Sequence, residues 1–554
     1  MENRDTPQEL PARRGSSLSY KGKTLLSRID PISQAERLIE NLDTKDRTLY
    51  FCPSPLYGYG LARLLEKLKD NSAILCAEAD DLLFDLTRNA IKDLLDNEDR
   101  LFLVKIDELP ETSAKLCSLV HNTWGEKKFR RVELLQLNGG WQLFPELYEK
   151  TAAVLRKDLA VSWSNAMTLI RLGRLYIKNA IKNLPLISEL RDITALDFGA
   201  DPMLVLGAGP SMDIILDELK KFYDTAGLRD RPFRIICADT CIPSLKERNI
   251  EPDLAVILES QHWNLSDFSG SRGWNVSAAA DLSALPSSIR ILGGETFLFF
   301  TPWTELRLLK RLEEAGLLPC LLAPLGSVGL SAVQLAIKCG RGPVIIAGLD
   351  FSFTADAYHA RSSPGHQARL MRGTRFYSLP NVQAAFREGT FAAISKSGLP
   401  VRSDPALRNY RNLFEEEFSS STRLYEMQGP GLKLGVKKLS PEEAIKKLTL
   451  KGQSCVSSFP EKSKEKQLAQ RQVLEEFIKN EKAYLIKLRD ILTGQIPAQE
   501  EETENLLEIC DYLWAHFPES AAAGGRRPGV DDLSFLKRVR TEIDPFIKLW
   551  DMSL

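Results

Sequence analysis

The chain has 554 residues, of which 44% are hydrophobic and 27% are charged, and its formal net charge is −1. This length exceeds one ordinary hydrophobic core, so two or three domains are expected. The balanced charge gives no reason to expect nucleic acid or an anionic membrane as the main partner.

Targeting and redox signals favour a cytoplasmic protein. The N-terminal stretch MENRDTPQELPARRGSS is polar and lacks the apolar core of a signal peptide. No window reaches the roughly 18 consecutive apolar residues of a membrane span, so stable membrane insertion is not expected. The nine cysteines are irregularly spaced, which suits a reducing compartment. Their spacing completes no zinc site, so no metal is expected.

Residues 1–30 are polar and are expected to be mobile. Over residues 31–142, β-like runs alternate with helical ones in the order RTLYFCP, GLARLLEKL, SAILCAEA, LLFDLTRNAIKDLL, RLFLVKI and RRVELLQL. This alternation predicts a parallel sheet. The turn CPSPLYGYGL, with Glu78 after the next run, admits a nucleotide site. The turn is bulky and lacks G-x-G-x-x-G, however, which favours an ordinary tight turn.

Apolar residues at helical spacing predict a long helix or helical pair over residues 143–200, bridging to a second sheet domain at 201–455. The β-like runs of that domain are MLVLG, RIICAD, LAVILE, VSAAAD, IRILGG, CLLAP and PVIIAG. Their continuous apolar character is typical of strands buried on both faces. Residues 456–554 are charged and helical in pattern. The predicted fold class is α/β, with two Rossmann-like parallel-sheet domains joined by long helices and an α-helical C-terminal region.

The stretch LVLGAGPSMD is the first candidate ligand site. Gly207 and Gly209 end an apolar run, and Ser211 stands where a helix begins. A helix start of this kind offers free N–H groups to an anion. Met212 occupies the place of the third glycine of a dinucleotide fingerprint, so a monophosphate or diphosphate fits better than a dinucleotide.

Polar residues follow the next two predicted strands. Asp239 and Thr240 end one run, and Glu259, Ser260 and Gln261 end the next. Ligands of open parallel sheets lie outside the carboxyl ends of the strands, so these side chains are expected to line one crevice with the glycine turn. Asp239 is also a candidate cap for the helix that follows it.

A third candidate region begins at Gly326 and Ser327, which open another helix and provide a second anion site. Asp350 follows the run PVIIAG, and His359 and His366 fall in one loop rich in Ser, Gly and Pro. Two of the five histidines of the chain therefore lie in one loop, which favours chemistry or ligand contact over a core role.

The combination of LGAGPSMD, ADT…IEPDLAVILES, GSVGLSAVQLAIKCGRGPVIIAGLDFSFTADAYHA and NYRNLFEEEF…EMQGPGLKLGV resembles the motility-associated factor (Maf) family of bacterial flagellin glycosyltransferases. The resemblance spans roughly residues 45–450 and is most specific over 203–360. It implies a central domain similar to the bacterial sialyltransferase fold. The implied reaction transfers a nonulosonic acid of pseudaminic or legionaminic type from its CMP ester to Ser or Thr of flagellin. The CMP-sugar is the donor substrate, and no further cofactor is implied.

The resemblance also implies roles for particular residues. By motif match, the nucleotide would be held by Gly207, Gly209, Ser211, Asp239, Thr240 and Ser327. Asp350 and His359 fall in the loop that resembles the acceptor side. Glu259 stands where the family usually has Asp, and LPVRSD lacks the general-base His of sialyltransferase relatives. A base must then come from elsewhere, with His359, its ring oriented by Asp350, as the candidate, or the protein is inactive. For the loop itself, the alternative is that Asp350 caps a local turn and His359 has no role.

The sequence leaves two other functions open. The central domain also resembles archaeal 6-hydroxymethylpterin diphosphokinase, which implies diphosphate transfer from ATP with magnesium. A scaffold of motility or envelope assembly that keeps a nucleotide pocket is the non-catalytic alternative. Release of CMP, of AMP or of neither distinguishes the three.

Overall fold

The computed structural model describes residues 6–107, 110–125, 128–226, 231–449, 464–497, 499–522 and 527–553. The chain divides into two compact units, Met1–Arg171 with Trp514–Gly529, and Leu172–Leu513 with Val530–Leu554. Each unit contains its own parallel sheet, as the sequence predicts. Within the described ranges, every helix is too short or too polar to span a bilayer.

The first unit contains an antiparallel and a parallel sheet. Its strands are β1 (Gln8–Pro11), β2 (Ser16–Tyr20), β3 (Lys23–Thr24), β4 (Thr48–Pro53), β5 (Ala73–Glu78), β6 (Leu101–Lys105) and β7 (Arg131–Leu134). Its helices before Leu172 are α1 (Pro31–Glu40), α2 (Leu61–Lys67), α3 (Asp81–Ala90), α4 (Lys92–Asn97), α5 (Pro110–Trp124) and α6 (Pro145–Thr168). The parallel sheet has the order β6-β5-β4-β7, so the predicted strands and helices of this region are confirmed.

The N-terminal segment differs from its predicted mobility. Residues 8–24 form the antiparallel sheet β1-β2-β3, whereas residues 1–5 lie outside the described residues. Leu18 and Tyr20 alternate onto one face of β2 and pack with Leu56 of the turn CPSPLYGYGL. The segment is ordered because these two apolar side chains find a buried partner, which its polar average composition conceals.

The second unit is organised around a wide sheet. Its strands are β8 (Arg191–Asp192), β9 (Met203–Leu206), β10 (Arg234–Ala238), β11 (Leu254–Ile257), β12 (Ser277–Asp281), β13 (Thr296–Phe299), β14 (Val344–Ala347), β15 (Phe391–Ile394), β16 (Pro400–Ser403), β17 (Leu424–Met427) and β18 (Lys437–Leu439). Nine of them form a parallel sheet in the order β18-β17-β14-β9-β10-β11-β12-β13-β8. The other two, β15 and β16, form an antiparallel hairpin.

The remaining helices are α7 (Arg174–Asn183), α8 (Leu186–Glu189), α9 (Met212–Ala226), α10 (Ile242–Glu247), α11 (Pro286–Ile289), α12 (Arg307–Glu314), α13 (Val328–Cys339), α14 (Pro364–Met371), α15 (Pro380–Ala385), α16 (Pro405–Phe418), α17 (Pro441–Leu448), α18 (Lys464–Leu492), α19 (Glu500–Ile509), α20 (Pro518–Ala522) and α21 (Leu533–Asp551). Of these, α20 falls in the first unit. The predicted helical bridge contains α6, a π-helical turn at Leu169–Gly173, α7 and α8.

Two predicted strands of this sheet are wrong. The run IRILGG ends α11 and forms a loop, and the strand that pairs with β12 is the later run TFLF of β13. Gly293 and Gly294 allow that loop to cross the backbone of residues 273–276, since a Cβ on either glycine would lie within 2.6 Å of a backbone atom. The run CLLAP makes one isolated bridge, between Leu321 and Phe300.

The C-terminal helices pack within the second unit. Helix α18 contacts α8 and α21, and α21 contacts α7. Arg311 of α12 donates from Nε to Oε1 of Glu481 on α18 at 3.0 Å, and this carboxyl group is buried. The helical character predicted for this region is confirmed.

Strand order places the candidate site. The chain proceeds from β9 outward to β13 and then returns to β14 on the other side of β9. Such a reversal makes a crevice at the carboxyl edge of the sheet, where ligands of open α/β sheets bind. The glycine turn follows β9, Asp239 follows β10, and Glu259 lies beyond the end of β11. The expectation that these segments share one edge is therefore confirmed by the topology.

Candidate functional site

The glycine turn after β9 is locked to the loop after β14. The backbone N–H of Ser211 donates to Oδ2 of Asp350 at 2.7 Å, and the Ser211 hydroxyl donates to Oδ1. A Cβ on Gly209 would lie 2.6 Å from both Asp350 Oδ2 and the Gly348 carbonyl oxygen. A Cβ on Gly207 would lie 2.6 Å from the same carbonyl oxygen. The two glycines are thus required by the close approach of the two loops.

An internal carboxylate takes the anion position at this helix start. The N–H groups of Gly207 and Gly209 donate to the carbonyl groups of Ala347 and Gly348, at 2.9 and 2.8 Å. The N–H of Met212 donates to the Gly209 carbonyl group at 3.0 Å. With Ser211 bound to Asp350, most donors that the sequence suggests for a phosphate already have partners. The charge that α9 attracts at its N-terminus is that of Asp350 itself.

Asp350 belongs to a buried charged cluster. Lys396 Nζ lies 3.6 Å from Oε2 of Glu426, and both side chains are almost fully buried. Burial raises the pKa of Asp350, and the nearby Lys396 charge and the hydrogen bonds from Ser211 oppose that effect. Because both Asp350 oxygens accept from Ser211, this carboxylate holds two loops together and does not orient the ring of His359.

A second cluster surrounds Asp239, at the end of β10. Oδ2 of Asp239 accepts from the Asn264 amide at 2.7 Å, and Oδ1 accepts from the Thr240 N–H at 2.9 Å. The Thr240 hydroxyl donates to Oδ2 of Asp267 at 3.3 Å. Burial and the charge of Asp267 raise the pKa of Asp239 to about 7, and burial raises the pKa of Asp267 to about 6. Two neighbouring acids with raised pKa values beside a strand end are typical of a functional site.

Glu259 lies at the neighbouring strand end and is exposed. Its Oε1 accepts from the Gln261 N–H at 2.9 Å, so both residues are placed by one tight turn. The hydroxyl of Ser260 is buried and has no hydrogen-bond partner among the described residues. Glu259 adds to the raised pKa of Tyr176, which burial brings to about 12, and to the raised pKa of Tyr410.

Aromatic side chains line the region around Glu259. The ring of Tyr176 stacks on Trp303, with centroids 5.6 Å apart and an interplanar angle of 27°. The indole N–H of Trp303 is shielded from solvent and has no partner among the described residues. Tyr410 lies on α16 and approaches Gly326, where an added Cβ would be 3.2 Å from the tyrosine ring. These rings form an apolar wall beside polar strand ends, a combination typical of ligand pockets.

The start of α13 retains the anion-binding character that α9 lacks. Gly326 has a φ of +69°, a left-handed conformation that suits glycine, and it turns the chain into the helix. Ser327 is the N-cap, but its side chain makes no capping hydrogen bond. The first-turn N–H groups of a helix have no partners within the helix. Of the two helix starts predicted from the sequence, this one better suits a phosphate.

The ring of His359 contacts Arg369 of α14. Nη1 of Arg369 is 3.3 Å from Nδ1 of His359. Since a guanidinium only donates, Nδ1 accepts and the ring proton lies on Nε2. Burial and the Arg369 charge lower the pKa of His359 to about 4, and burial also lowers the pKa of the buried His366. His359 is therefore a neutral hydrogen-bond donor at physiological pH.

Six residues of the site were not predicted from the sequence, and most of them contact residues that were. They are Tyr176, Asn264, Asp267, Trp303, Lys396 and Tyr410. Asn264 and Asp267 follow Glu259 closely in NLSDF, so the continuing polar stretch was an available signal. Tyr176 and Tyr410 lie far from the other motifs and carry no local signal.

Comparisons with known proteins agree with this architecture. Residues 177–356 match the family model described as 6-hydroxymethylpterin diphosphokinase MptE-like. The solved structure of MAf glycosyltransferase from Magnetospirillum magneticum AMB-1 aligns with a TM-score of 0.55, covering 100% of this chain and 92% of that chain at 14% identity. The chain has the Maf glycosyltransferase fold. The resemblance drawn from the sequence motifs, including the relation to the diphosphokinase domain, is thereby confirmed for the fold.

One relative in sequence aligns with this chain over almost the whole length of both proteins. A protein of Treponema pallidum (strain Nichols), described as an uncharacterized protein, is 29% identical over 567 residues, which cover 98% of this chain and 95% of that protein. Both alignments therefore extend over nearly the whole chain, including its C-terminal region.

Proposed function

We propose that the chain is a glycosyltransferase that moves a nonulosonic acid of pseudaminic or legionaminic type from its CMP ester to Ser or Thr of flagellin. The observation that carries the proposal is the Maf-like fold along the whole chain. The diphosphokinase family model accounts for residues 177–356 alone. A glycosyltransferase of this fold accounts for both units and the C-terminal helices.

The nucleotide of the donor would lie along the carboxyl edge of the central sheet. The start of α13 supplies N–H groups for the phosphate, beginning at Gly326 and Ser327. Asp239, at the end of β10, supplies an acceptor for a ribose hydroxyl. Tyr176 and Trp303 supply a ring surface for a base or sugar face.

The chemistry of transfer is nucleophilic attack by an acceptor hydroxyl on the anomeric carbon, with CMP as the leaving group. The acceptor proton must pass to a base as the new bond forms. Glu259 is the exposed carboxylate in this region and is our candidate, because His359 presents an N–H from Nε2. No cofactor beyond the CMP-sugar is part of the proposal, and the reaction is placed in the cytoplasm.

One substitution tests the helix start directly. Val328 is the first residue of α13, a position that accepts proline, and Ser327 has the extended backbone that precedes proline. Val328→Pro removes one N–H donor while keeping the helix. We expect CMP to bind at least tenfold more weakly by calorimetry, while the melting temperature falls only slightly because Val328 packs against the core. Glu500→Pro, at the first position of α19, is the matched control and should bind CMP normally.

The activity test uses the full chain, a CMP-nonulosonic acid and flagellin. We expect CMP release together with a flagellin mass increased by one or more sugar residues. Glu259→Gln should lower transfer by 100-fold or more while CMP binding stays intact. Binding of NAD or ATP in preference to CMP would contradict the proposed donor.

The match to the MptE-like model favours one second candidate, diphosphate transfer from ATP to a pterin alcohol. Magnesium in such reactions is held by one or two carboxylates and the substrate phosphates. Asp239 and Asp267 are the carboxylates whose chemistry fits. The described residues bring together no group of three or more acidic, histidine or cysteine side chains suited to a metal. AMP release with ATP, magnesium and hydroxymethylpterin would establish this alternative, and release of neither nucleotide would indicate a scaffold.

A further inference from the structure

A projecting apolar segment follows α14 in the second unit. Residues 370–379, LMRGTRFYSL, are all exposed, and we call them the tip segment. Its large apolar side chains and their exposed fractions are Leu370 51%, Met371 83%, Phe376 95%, Tyr377 38% and Leu379 60%. Contiguous exposed apolar surface of this kind marks interaction sites in soluble proteins.

The tip segment is an ordered turn. The N–H of Thr374 donates to the Tyr377 carbonyl group at 3.0 Å, and the N–H of Tyr377 donates to the Thr374 carbonyl group at 3.1 Å. Arg375 and Phe376 occupy the two positions between these bonds. A reciprocal pair of bonds holds both side chains outward, so burial of the Phe376 ring against a partner is favourable.

The charge around the tip segment is one-sided. Residues 361–403 contain seven basic residues and one acidic residue, in a chain whose net charge is −1. Arg372 and Arg375 are exposed, and neither forms an ion pair with an acidic side chain of the described residues. The surface therefore combines apolar side chains with positive charge that has not been neutralised.

We propose that the tip segment is the docking site for an acidic, apolar surface patch of the acceptor protein. The inference rests on the proposed glycosyltransferase function. The charge complement of two unpaired arginines is a carboxylate-rich patch, and the apolar complement of Phe376 and Met371 is an aliphatic or aromatic one. Segments that bind anionic membranes by charge usually carry four to eight basic residues, so the two free arginines favour a protein partner.

The position of the tip segment fits delivery of an acceptor to the site. Helix α14 carries Arg369, which stacks on Tyr358 at 4.2 Å and contacts His359. Tyr358 and His359 belong to the chain that leaves β14 at the crevice edge of the sheet. A protein held on the tip segment is thereby held next to the loops at the edge where the donor is proposed to bind.

The test measures flagellin binding separately from donor chemistry. Phe376→Ser and the double variant Arg372→Glu/Arg375→Glu should each bind purified flagellin at least tenfold more weakly by biolayer interferometry. Arg372→Lys/Arg375→Lys keeps the charge and should stay within about threefold of the wild type. Leu533→Ser alters a comparably exposed apolar residue on α21, 68% exposed, and should change nothing. Raising the salt concentration should weaken wild-type binding more than that of the Glu double variant.

The outcomes separate this proposal from the proposed function. CMP release from the donor without acceptor should be the same in all variants, because the tip segment takes no part in donor binding. Unchanged flagellin binding in both the Phe376→Ser and the Glu variants would overturn the docking site while leaving donor transfer standing. Absence of CMP release by the wild type with donor and saturating flagellin both present would overturn the proposed function. Binding to phosphatidylglycerol vesicles that is lost in the Glu variant, without flagellin binding, would assign the surface to a membrane.

Discussion

The carboxyl group of Asp239 shows how burial and a neighbouring charge set the behaviour of one residue. Its side chain is buried beside Asp267, and its pKa is raised to about 7 from an ordinary value of 3.8. The folded state therefore binds a proton that the unfolded state has already lost at pH 5–6. The resulting contribution to the free energy of unfolding is fully present below pH 3.8 and is lost as the pH rises through about 7.

Asp239→Asn should make folding less dependent on pH. Relative to the wild type, we expect the variant to gain on the order of 4 kcal/mol in unfolding free energy between pH 4 and pH 8. Melting temperatures measured across this range check the result. Glu388→Gln, at an exposed carboxyl group, is the control and should follow the wild type. A constant difference between Asp239→Asn and the wild type at every pH would contradict the raised pKa.

His359 requires a different expectation from the one that its sequence context suggests. Because burial and Arg369 lower its pKa to about 4, it stays neutral between pH 5 and pH 8. Its Nδ1 is used by Arg369, so it is not arranged as a proton acceptor. His359→Ala should lower the transfer rate by less than about tenfold, compared with 100-fold or more for loss of a base.

The pH profile provides a second measurement on His359. The shape of the rate profile between pH 5 and pH 8 should be unchanged in His359→Ala and in the control His366→Ala. Relative to His359→Ala, the wild type should lose folding stability as the pH falls from about 6.5 to about 4. In this range the unfolded chain protonates the histidine and the folded chain does not. A loss of transfer above 100-fold with CMP binding intact would restore His359 as the base.

At the scale of elements, the junction of β9 and α9 with the loop after β14 behaves as one interlocked unit. Gly209 lies against Asp350 and Gly348, and Ser211 supplies two hydrogen bonds to the same carboxylate. The glycines serve the packing of two loops at the point where strand order reverses. A substitution at this junction is therefore expected to lower folding stability more than it weakens ligand binding.

Gly209→Val should lower the unfolding free energy by about 3 kcal/mol, since its side chain would overlap Asp350 and a backbone carbonyl oxygen. Chemical denaturation followed by circular dichroism measures the change. Gly494→Ala is the matched control, because that glycine has a φ of +75° and a Cβ added there would meet no atom within 4 Å. The control should cost only about 1 kcal/mol of backbone strain. A variant at 209 that keeps wild-type stability but loses CMP binding would indicate a phosphate at α9 instead.

At the scale of the whole molecule, the C-terminal helices α18, α19 and α21 are part of the second unit. Residues 464–513 and 530–554 cluster with the nine-stranded sheet, and Ser553 bonds to the Ile181 carbonyl group at 3.1 Å. Glu481 is buried with Arg311 and Tyr512 as partners. Removing one member of such a buried pair typically costs 3–5 kcal/mol.

A chain ending at residue 449 should therefore aggregate or melt far below the full chain. By contrast, cleavage at a protease site inserted within residues 450–463, which lie outside the described residues, should leave the two fragments associated. Size-exclusion chromatography with light scattering distinguishes a nicked complex from separated fragments. A monodisperse truncated chain with the full-length melting temperature would show instead that these helices form an independent domain.

The amino-acid sequence determined the fold class, since apolar runs of four to six residues alternating with helical patterns describe buried parallel strands wherever they occur. It also placed Gly207, Asp239 and Glu259 at one sheet edge, because residues after parallel strands share an edge. The strand at residues 296–299 was not predicted, because the nearby run IRILGG has the same apolar pattern. Which of the two runs forms the strand is determined by its pairing with β12.

Only the tertiary structure decided which helix start is open to a ligand. The two starts look alike in sequence, but Asp350, more than a hundred positions after Ser211, occupies the donors of one and not of the other. Tyr176 and Tyr410 reach the region of Glu259 from helices far apart in the chain. Hydrogen bonds and desolvation act through space, so the pKa values of Asp239 and His359 are properties of the folded arrangement and not of the local sequence.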